Sequence, residues 1–389
     1  MNVKLPQPSP EDQKNSDQLQ QKIADIIRDS GGHISFEQYM HECLYAEQLG
    51  YYESEREIFG GGGDFTTSPE RSRYFALAFA AHLQKIHASI GEFTVIELGA
   101  GSGQFAVDLI AALTTLGCIP SKYLILEKSR RLQERQQALL KEKCVNNSIE
   151  VNWISELEEK VQCGIVIANE VLDAIPVRLI NVKNQQLYER CVGISKDRLE
   201  YVDVPADKLL AEKCSARLPE YLFENRDSEY QTEINTSLPN FVEQIAALVN
   251  TGIFFYIDYG YPRGEYYQQS REMGTLICHY RHIANDQVLL WPGLQDISSN
   301  VDFTALAEAA DSANLQLSCY STQAHFLLAS DFLSMIEANN NAEAINEQAE
   351  LKRLMMPGEM GERFQVMVLT KDINIDGSLF TMRDLSYRL

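Results

Sequence analysis

The run from Glu97 to Gly103, Glu-Leu-Gly-Ala-Gly-Ser-Gly, is the segment of this chain whose residue types and spacing point most directly to chemistry. It follows an apolar run at 93–96 and precedes an apolar-periodic run at 105–116, which predicts a strand, a glycine turn and a helix. Glycine has no Cβ and tolerates positive φ, so the backbone can turn sharply and come close to a ligand. The helix that follows presents free N–H groups at its start. The segment therefore predicts a site for a nucleoside-type cofactor.

Two well-known glycine patterns for such cofactors are not met by this segment. The dinucleotide fingerprint G-x-G-x-x-G needs a glycine at position 104, where the chain has Gln104, and this argues against an NAD-linked oxidoreductase. A phosphate-binding P-loop is excluded as well, because no Gly-Lys-Ser/Thr follows. From the glycines alone, a tight turn in an unrelated α/β protein remains an alternative.

The form E-x-G-x-G-x-G resembles motif I of the class I S-adenosylmethionine (SAM) methyltransferases. In that family the glycine turn passes under the amino-acid part of SAM, and an acid at the end of the next strand holds the ribose hydroxyls. The predicted strand at 123–126 ends in Glu127, which matches that acid. Residues after the third strand would border adenine, and a loop at 64–70 would close over the cofactor. The cofactor-binding residues that this resemblance implies are Thr67, Ser68, Glu97, Gly99, Ala100, Gly101, Ser102, Gly103, Glu127, Lys128, Trp153, Ile154, Ser155 and Asn169.

Carboxylates follow two of the predicted strands, at the sheet edge where a doubly wound fold binds its ligand. Asn169-Glu170 ends the strand at 164–168, Asp173 lies three residues further on, and Asp258 ends a strand at 252–258. Such carboxylates can pair bidentately with a guanidinium and orient one of its nitrogens toward a methyl donor. Each of the three acids could instead cap a turn or a helix. They are the predicted catalytic residues, with this structural role as the alternative.

The composition sets limits on size and partners. The chain has 389 residues, of which 45% are hydrophobic, and this predicts one large or two medium domains with an ample core. Its formal net charge of −21 argues against non-specific binding to nucleic acid. An acidic surface favours a basic partner, such as an Arg/Lys-rich protein segment, or serves solubility alone.

Cysteine usage and the N-terminal segment bear on cellular location. The eight cysteines are scattered and none forms a C-x-x-C pair, which indicates reduced intracellular thiols. The segment at 1–22 lacks the apolar core of a signal peptide and the Arg-rich character of a mitochondrial transit peptide. No apolar run is long enough to span a membrane. We therefore expect a cytoplasmic monomer or homodimer without a membrane span.

Strands and helices alternate in the predicted fold from residue 92 onward. Seven strands joined largely by helices imply a doubly wound α/β sheet, and in the methyltransferase core that this resembles the last strand runs antiparallel. The predicted strands lie at 93–98, 122–127, 149–153, 164–168, 252–258, 315–320 and 364–369. Helices are also expected before Gly31-Gly32, after a Ser35 cap, and from Ser68 to about residue 89.

Two stretches depart from this alternation and predict insertions at about 177–240 and 259–300. Residues 177–203 predict a β-hairpin or meander, whereas the polar remainder is typical of lids or binding surfaces. Residues 1–16 are expected to be disordered, and the tail at 372–389 is either disordered or an added strand. The predicted organisation is an N-terminal helical cap with a cofactor-covering loop at 1–90, a methyltransferase core at 91–371, and the tail.

The segment from Cys278 to His282, Cys-His-Tyr-Arg-His, looks metal-like, but the sequence offers it no second compact ligand pair. We predict no metal site here and assign the segment to stacking or hydrogen bonding.

Over roughly residues 33–370 the chain resembles the MidA-like family of SAM-dependent methyltransferases. The most specific matching blocks are Gly-Asp-Phe-Thr-Thr-Ser-Pro-Glu at 63–70 and Pro-Gly-Leu-Gln-Asp-Ile at 292–297. The mitochondrial relatives of that family act as a complex I assembly factor and protein arginine methyltransferase. The resemblance implies a Rossmann-like class I methyltransferase fold with substrate-pocket insertions, SAM as cofactor, and an arginine of a respiratory complex I subunit or related protein as acceptor. A small-molecule methyltransferase and a non-catalytic assembly chaperone with a SAM fold are the alternatives.

Overall fold

The computed structural model describes residues 4–54, 56, 58, 72–144, 149–154, 160–224, 229–336, 349, 351–356 and 358–389. The predicted site residues Thr67, Ser68 and Ser155, the loop at 64–70 and a predicted short helix near 155–160 lie wholly or mostly outside them.

The described α-helices, in chain order, are α1 (Pro10–Asp29), α2 (Phe36–Tyr45), α3 (Arg73–Ile90), α4 (Gln104–Thr115), α5 (Arg130–Lys143), α6 (Lys208–Ser215), α7 (Leu238–Ala247), α8 (Arg263–Tyr266), α9 (Phe303–Ser312), α10 (Gln323–Ala329) and α11 (Met360–Arg363). The described β-strands are β1 (His33–Ile34), β2 (Thr94–Leu98), β3 (Lys122–Leu126), β4 (Val151–Ile154), β5 (Val161–Asn169), β6 (Arg178–Lys183), β7 (Gln186–Ser195), β8 (Arg198–Pro205), β9 (Tyr230–Ile234), β10 (Val249–Tyr261), β11 (Ile277–Tyr280), β12 (Ile283–Asn285), β13 (Asp296–Ser298), β14 (Val301–Asp302), β15 (Gln316–Thr322) and β16 (Phe364–Lys371).

The chain divides into two compact units. The first comprises Met1–Phe65, Asp173–Leu238 and Arg263–Asn300, and the second comprises Thr66–Leu172, Pro239–Pro262 and Val301–Leu389. The first unit thus holds α1, α2 and nearly all of both predicted insertions. Helix α3 belongs to the second unit, although the sequence assigned residues 1–90 to one N-terminal region.

The second unit is built on one sheet with the strand order β15-β16-β10-β5-β2-β3-β4, and β14 adds to the end of β10. Strands β10, β5, β2, β3 and β4 run parallel, and β16 runs antiparallel between β10 and β15. The doubly wound sheet with an antiparallel last strand is confirmed. From β2 the chain adds β3 and β4 on one side, and it then adds β5 and β10 on the other side. Folds of this type bind ligands at the boundary between the two halves, which here lies between β2 and β5.

Burial explains why these strands read as apolar runs. All five residues of β2 are buried, as are seven of the eight residues of β16. A strand that is covered on both faces of its sheet is mostly apolar along its length. One large core joins the sheet to α3 and α4, with Phe75, Phe79 and Phe105 in mutual ring contact.

The first unit contains two smaller antiparallel sheets. The larger has the order β1-β7-β6-β9, with β8 on the other side of β7, so the meander predicted at 177–203 is confirmed. The smaller has the order β12-β11-β13. Neither β9 nor the smaller sheet was predicted. Strand β9 reads Tyr-Gln-Thr-Glu-Ile, which is polar in sequence although every residue is buried.

The expectation of disorder at 1–16 is wrong for residues 10–16. Helix α1 begins at Pro10, and the side chain of Ser9 caps it by accepting a hydrogen bond from the N–H of Asp12. The predicted Ser35 cap of α2 is confirmed, since its hydroxyl accepts from the N–H of Gln38. Helix α3 begins at Arg73 behind a Ser72 cap, later than the predicted start after Ser68.

The C-terminal tail is neither disordered nor an added strand. It lies along the edge strand β15, where the N–H of Leu385 donates to the carbonyl of Tyr320 and the N–H of Tyr320 donates to Asp384 and Ser386. The side chain of Phe380 is completely buried. The tail therefore satisfies backbone groups that an open sheet edge would leave unpaired.

Among the described residues, no helix combines the length and apolar character that crossing a membrane requires.

Candidate functional site

The glycine turn of the second unit joins the end of β2 to the start of α4. Gly99, Gly101 and Gly103 all have positive φ, at 58°, 54° and 87°, a region that other residues adopt only with strain. The N–H of Gly99 donates to the carbonyl of Leu126 at the end of the adjacent strand β3. Because Gly103 is the N-cap of α4 and carries no side chain, the turn presents bare backbone at the start of the helix.

Glu97, predicted to order this turn, is buried inside the sheet. Its Oε2 accepts a 2.6 Å hydrogen bond from the hydroxyl of Tyr123 on β3. Burial raises the pKa of Glu97 to about 7, the bond from Tyr123 works against that rise, and the nearby charge of Glu127 adds to it. Glu97 thus ties β2 to β3 directly beneath the turn.

Glu127 lies just beyond the end of β3, in line with the glycine turn. The register pairs Leu98 with Leu126, so the residues that follow them emerge at the same sheet edge. Oε1 of Glu127 accepts from the N–H of Ser129, 3.0 Å away, and its carbonyl accepts from Nε2 of Gln133. The carboxylate is held in one orientation beside the turn, as the predicted ribose ligand requires.

Gln136 on α5 was not predicted, and it connects three parts of this site. Its Nε2 donates to the carbonyl of Gly101 at 2.9 Å and to Oε2 of Glu127 at 3.2 Å, and its Oε1 accepts from Nε1 of Trp153 at 2.8 Å. The signal in the sequence was a glutamine on the apolar face of an amphipathic helix, in register with Leu132 and Leu140.

The other predicted cofactor residues of this region surround the turn. Ala100 is buried and Ser102 is half-buried within the turn, and Lys128 is exposed beyond Glu127. Trp153 and Ile154 end β4 and are half-buried.

The end of β5 carries Asn169 and Glu170. Leu98 on β2 pairs with Ala168, and so Asn169 emerges at the same sheet edge as Gly99. Glu170 has a φ of 53°, a left-handed conformation that is uncommon for a residue with a side chain. Its N–H donates to the carbonyl of Ile257, and its Oε1 accepts from Nδ2 of Asn169 at 3.3 Å. Oδ1 of Asn169 is buried and accepts no hydrogen bond from any described residue.

Asp258 is completely buried in the last part of β10. Its Oδ2 accepts from the N–H of Leu172 and its Oδ1 accepts from the N–H of Tyr259, at 2.9 and 2.8 Å. Of the two roles left open for Asp258, these hydrogen bonds favour the structural one. The carboxylate fixes the backbone that follows Glu170.

Asp173 begins the part of the chain that returns to the first unit. Its side chain is 9% exposed, and its carbonyl accepts from the N–H of Ser299. The next carbonyl, of Ala174, accepts from the hydroxyl of Tyr45. The backbone at Asp173 is thus fixed between α2 and the end of β13.

These features fit a SAM-type cofactor. The turn has no room for a side chain at Gly103, because an added Cβ would lie 3.3 Å from Cα and Cγ of Gln136. Glu127 offers an oriented carboxylate for sugar hydroxyls, and Oδ1 of Asn169 offers an unused buried acceptor. The residues that could hold the cofactor are therefore the turn, Glu127 and Asn169.

The metal-like segment lies in the first unit. Cys278 is buried in β11, and Arg281 and His282 form the turn to β12 with positive φ. Throughout the part of the chain that the structure describes, no three His, Cys, Asp or Glu side chains are grouped as a metal site would need.

Comparisons with known proteins agree with this fold and with a SAM-type cofactor. A family model described as S-adenosyl-L-methionine-dependent methyltransferase matches residues 74–321. A crystal structure from Burkholderia thailandensis, bound to S-adenosyl-homocysteine, is 34% identical, covers 99% of this chain and 100% of its own, and superimposes with a TM-score of 0.92.

Curated relatives are more distant in sequence. The protein arginine methyltransferase NDUFAF7 of Mus musculus is 26% identical over 384 residues, covering 90% of this chain and 83% of the relative. The Homo sapiens protein of the same name is 26% identical over 389 residues, again covering 90% and 83%. Both are named as mitochondrial proteins, and this contradicts the cytoplasmic location predicted from the sequence.

Proposed function

The chain belongs to the S-adenosyl-L-methionine-dependent methyltransferase family, and on that premise we propose that it methylates an arginine side chain of a protein. Its cofactor is S-adenosyl-L-methionine, which supplies an electrophilic methyl group on a sulfonium. A donor that is already activated leaves the protein two tasks, which are to orient the acceptor nitrogen and to manage its proton.

Glu170 is the residue that carries this proposal. It follows β5 at the point where the sheet reverses direction, and it keeps a left-handed backbone that costs about 1–3 kcal/mol. Strained backbone clusters at functional sites, and at this sheet edge it supports a role for Glu170. Glu170 would accept hydrogen bonds from a guanidinium and turn one nitrogen toward the methyl group.

Asp173 is proposed as the second carboxylate for the guanidinium. It is nine-tenths buried and its backbone is fixed by Ser299. A carboxylate with little freedom loses little entropy when it pairs with a cation. Asp258 would then act as a positioning residue, because both of its oxygens accept backbone hydrogen bonds.

Two further observations support a protein arginine as the acceptor. The relatives that match 90% of this chain are named protein arginine methyltransferases. A net charge of −21 also favours the approach of a basic protein segment.

The test measures methyl transfer and cofactor binding in the same variants. Glu170→Gln and Asp173→Asn are compared with the wild type for labelled methyl transfer from SAM to arginine-containing proteins, and for S-adenosylhomocysteine affinity by calorimetry. We expect each variant to lose about 100-fold or more in transfer while binding S-adenosylhomocysteine normally, because the acids act on the acceptor.

The matched control is Asp197→Asn, since Asp197 is an exposed acid that also has positive φ. It should leave both measurements unchanged. Full methyl transfer by Glu170→Gln would refute the role of Glu170, and labelled product on small amines but never on arginine would refute the acceptor.

A further inference from the structure

We propose that Gln136 is a positioning residue that holds the glycine turn, Glu127 and Trp153 in one preorganised arrangement and thereby sets the affinity for SAM. The proposal rests on SAM being the cofactor and not on the nature of the acceptor. Gln136 forms hydrogen bonds to Gly101, Glu127 and Trp153, which belong to three different elements of the fold.

The amide of Gln136 is fully used, and this fixes its orientation. A glutamine amide has two donor hydrogens, and here one goes to the carbonyl of Gly101 and the other to Oε2 of Glu127. The amide oxygen accepts from Nε1 of Trp153. A flipped amide would set its oxygen against a carbonyl and a carboxylate and its NH₂ against an indole N–H, so only the observed orientation is favourable.

Burial makes these bonds costly to lose. Gln136 is completely buried, and a buried polar group without partners is strongly unfavourable. A core position on an amphipathic helix would ordinarily be apolar, like Leu132 and Leu140 on the same face of α5. The chain instead keeps a glutamine there, with all of its bonds directed at the cofactor site.

The consequence for Glu127 is that each carboxylate oxygen has its own donor. Oε1 accepts from the N–H of Ser129, and Oε2 accepts from Gln136. Such partners behind a binding residue fix its rotamer and typically change affinity by about 10- to 100-fold when removed. A Cβ added at Gly103 would lie 3.3 Å from Cα and Cγ of Gln136, so the turn comes close to α5 at the position of this glutamine.

The experiment measures S-adenosylhomocysteine affinity by calorimetry in Gln136→Leu and Gln136→Glu at about pH 5.5, 7 and 8.5. We expect Gln136→Leu to weaken binding about 10- to 100-fold at every pH. Gln136→Glu introduces a second carboxyl group within 3.2 Å of Glu127. Two carboxylates so close cannot both ionise easily, so its loss of affinity relative to wild type should grow as the pH rises.

The matched controls are Ala138→Leu and Ala138→Glu, because Ala138 is an exposed residue of α5 where the same side chains are introduced away from Trp153. Both should bind as the wild type does. A structural role in packing alone would weaken Gln136→Glu equally at all pH values, and that result would overturn the proposal. So would wild-type affinity in Gln136→Leu.

The indole of Trp153 supplies a readout that does not depend on ligand. In a Trp291→Phe background Trp153 is the sole tryptophan, since the chain has two. Loss of the acceptor for its N–H in Gln136→Leu should shift the emission of the free protein, whereas Ala138→Leu, at an exposed position of α5, should leave it unchanged. An unshifted emission would also overturn the proposal, even for a variant whose binding was too weak to measure.

Discussion

The hydroxyl of Tyr123 lies 2.6 Å from Oε2 of Glu97, and both side chains are buried between neighbouring parallel strands. The acid that opens the glycine motif therefore acts within the sheet, directly beneath the turn. This hydrogen bond joins the two strands whose ends carry the turn and Glu127, the predicted ribose ligand. Its energetic consequence can be measured through the pH dependence of stability.

Glu97→Gln is expected to flatten the stability profile between about pH 4.5 and 7. The pKa of Glu97 is raised from 4.5 to about 7, so the carboxyl favours the folded state while protonated, and that stabilisation is lost as the pH rises through 7. The amount is roughly 3 kcal/mol. Urea unfolding of both proteins at about pH 5 and pH 8 measures it. If the free energy of unfolding changed equally with pH in both proteins, Glu97 would be ionised in the folded protein over the whole range.

His82→Gln is expected to change the acid side of the same profile in the opposite sense. His82 is completely buried against Phe326, and burial lowers its pKa from 6.5 to about 4. Protonation then favours the unfolded state, so stability falls as the pH drops from 6.5 toward 4, by roughly 3 kcal/mol in all. The variant should lose this acid sensitivity in unfolding measured between about pH 4 and 7. A variant that remains equally acid-sensitive would assign the effect to other groups.

Gly103→Ala should weaken S-adenosylhomocysteine binding as well as stability. It has a φ of 87°, and its added Cβ would lie 3.3 Å from Gln136. The control is Gly91→Ala, which has a φ of 69° but nothing within 4 Å. Both should lose about 1 kcal/mol of stability from the backbone, whereas only Gly103→Ala should lose affinity, about tenfold or more. Calorimetry and thermal unfolding separate the two effects, and equal affinity in both variants would contradict a cofactor role for the turn.

Asp258→Asn should reduce methyl transfer through misplacement of the backbone after Glu170. An amide can still accept from one of the two N–H groups of Leu172 and Tyr259, but its NH₂ would face the other. We expect a loss of about 1–3 kcal/mol in stability and a reduced kcat with little change in cofactor affinity. Asp311→Asn, an exposed acid on α9, is the control. Normal stability with abolished transfer would instead indicate direct contact with the acceptor.

Phe380→Ala should show how much the C-terminal tail stabilises the second unit. Phe380 is completely buried, with its ring 5.4 Å from that of Phe255. Removing it should cost about 3–5 kcal/mol. Tyr387→Ala, from an aromatic residue of the same tail that is 75% exposed, should change stability by less than about 0.5 kcal/mol. If both variants lowered the stability measured by thermal unfolding by the same small amount, the tail would contribute little to the stability of the second unit.

The insertions contain strands that sequence patterns do not predict. Strand β9 buries Gln231, Thr232 and Glu233, and a buried polar strand has no apolar periodicity to detect. The carboxylate of Glu233 accepts from the N–H groups of Thr275 and Leu276, more than forty residues away. Its partners become visible only when the chain has folded.

The first turns of helix α1, at residues 10–16, were missed for a related reason, although the rest of the helix was predicted. These turns are polar, which suggested disorder, whereas Leu19, Ile23 and Ile27 further along the helix form a buried stripe. The start signal, Ser9 followed by Pro10, was present in the sequence. Tertiary packing on that stripe decides that the polar segment is helical.

The sequence by itself determined the order of the sheet elements, the glycine turn and the acids at the strand ends, because local spacing and apolar runs encode them. The family, the cofactor and the antiparallel last strand were implied by the resemblance to SAM-dependent methyltransferases that those motifs carry. Tertiary structure alone decided which side chain connects the turn, Glu127 and Trp153. Gly101 and Trp153 lie 35 and 17 residues from Gln136 in the chain, and their hydrogen bonds to it exist only because parallel strands bring successive βα units side by side.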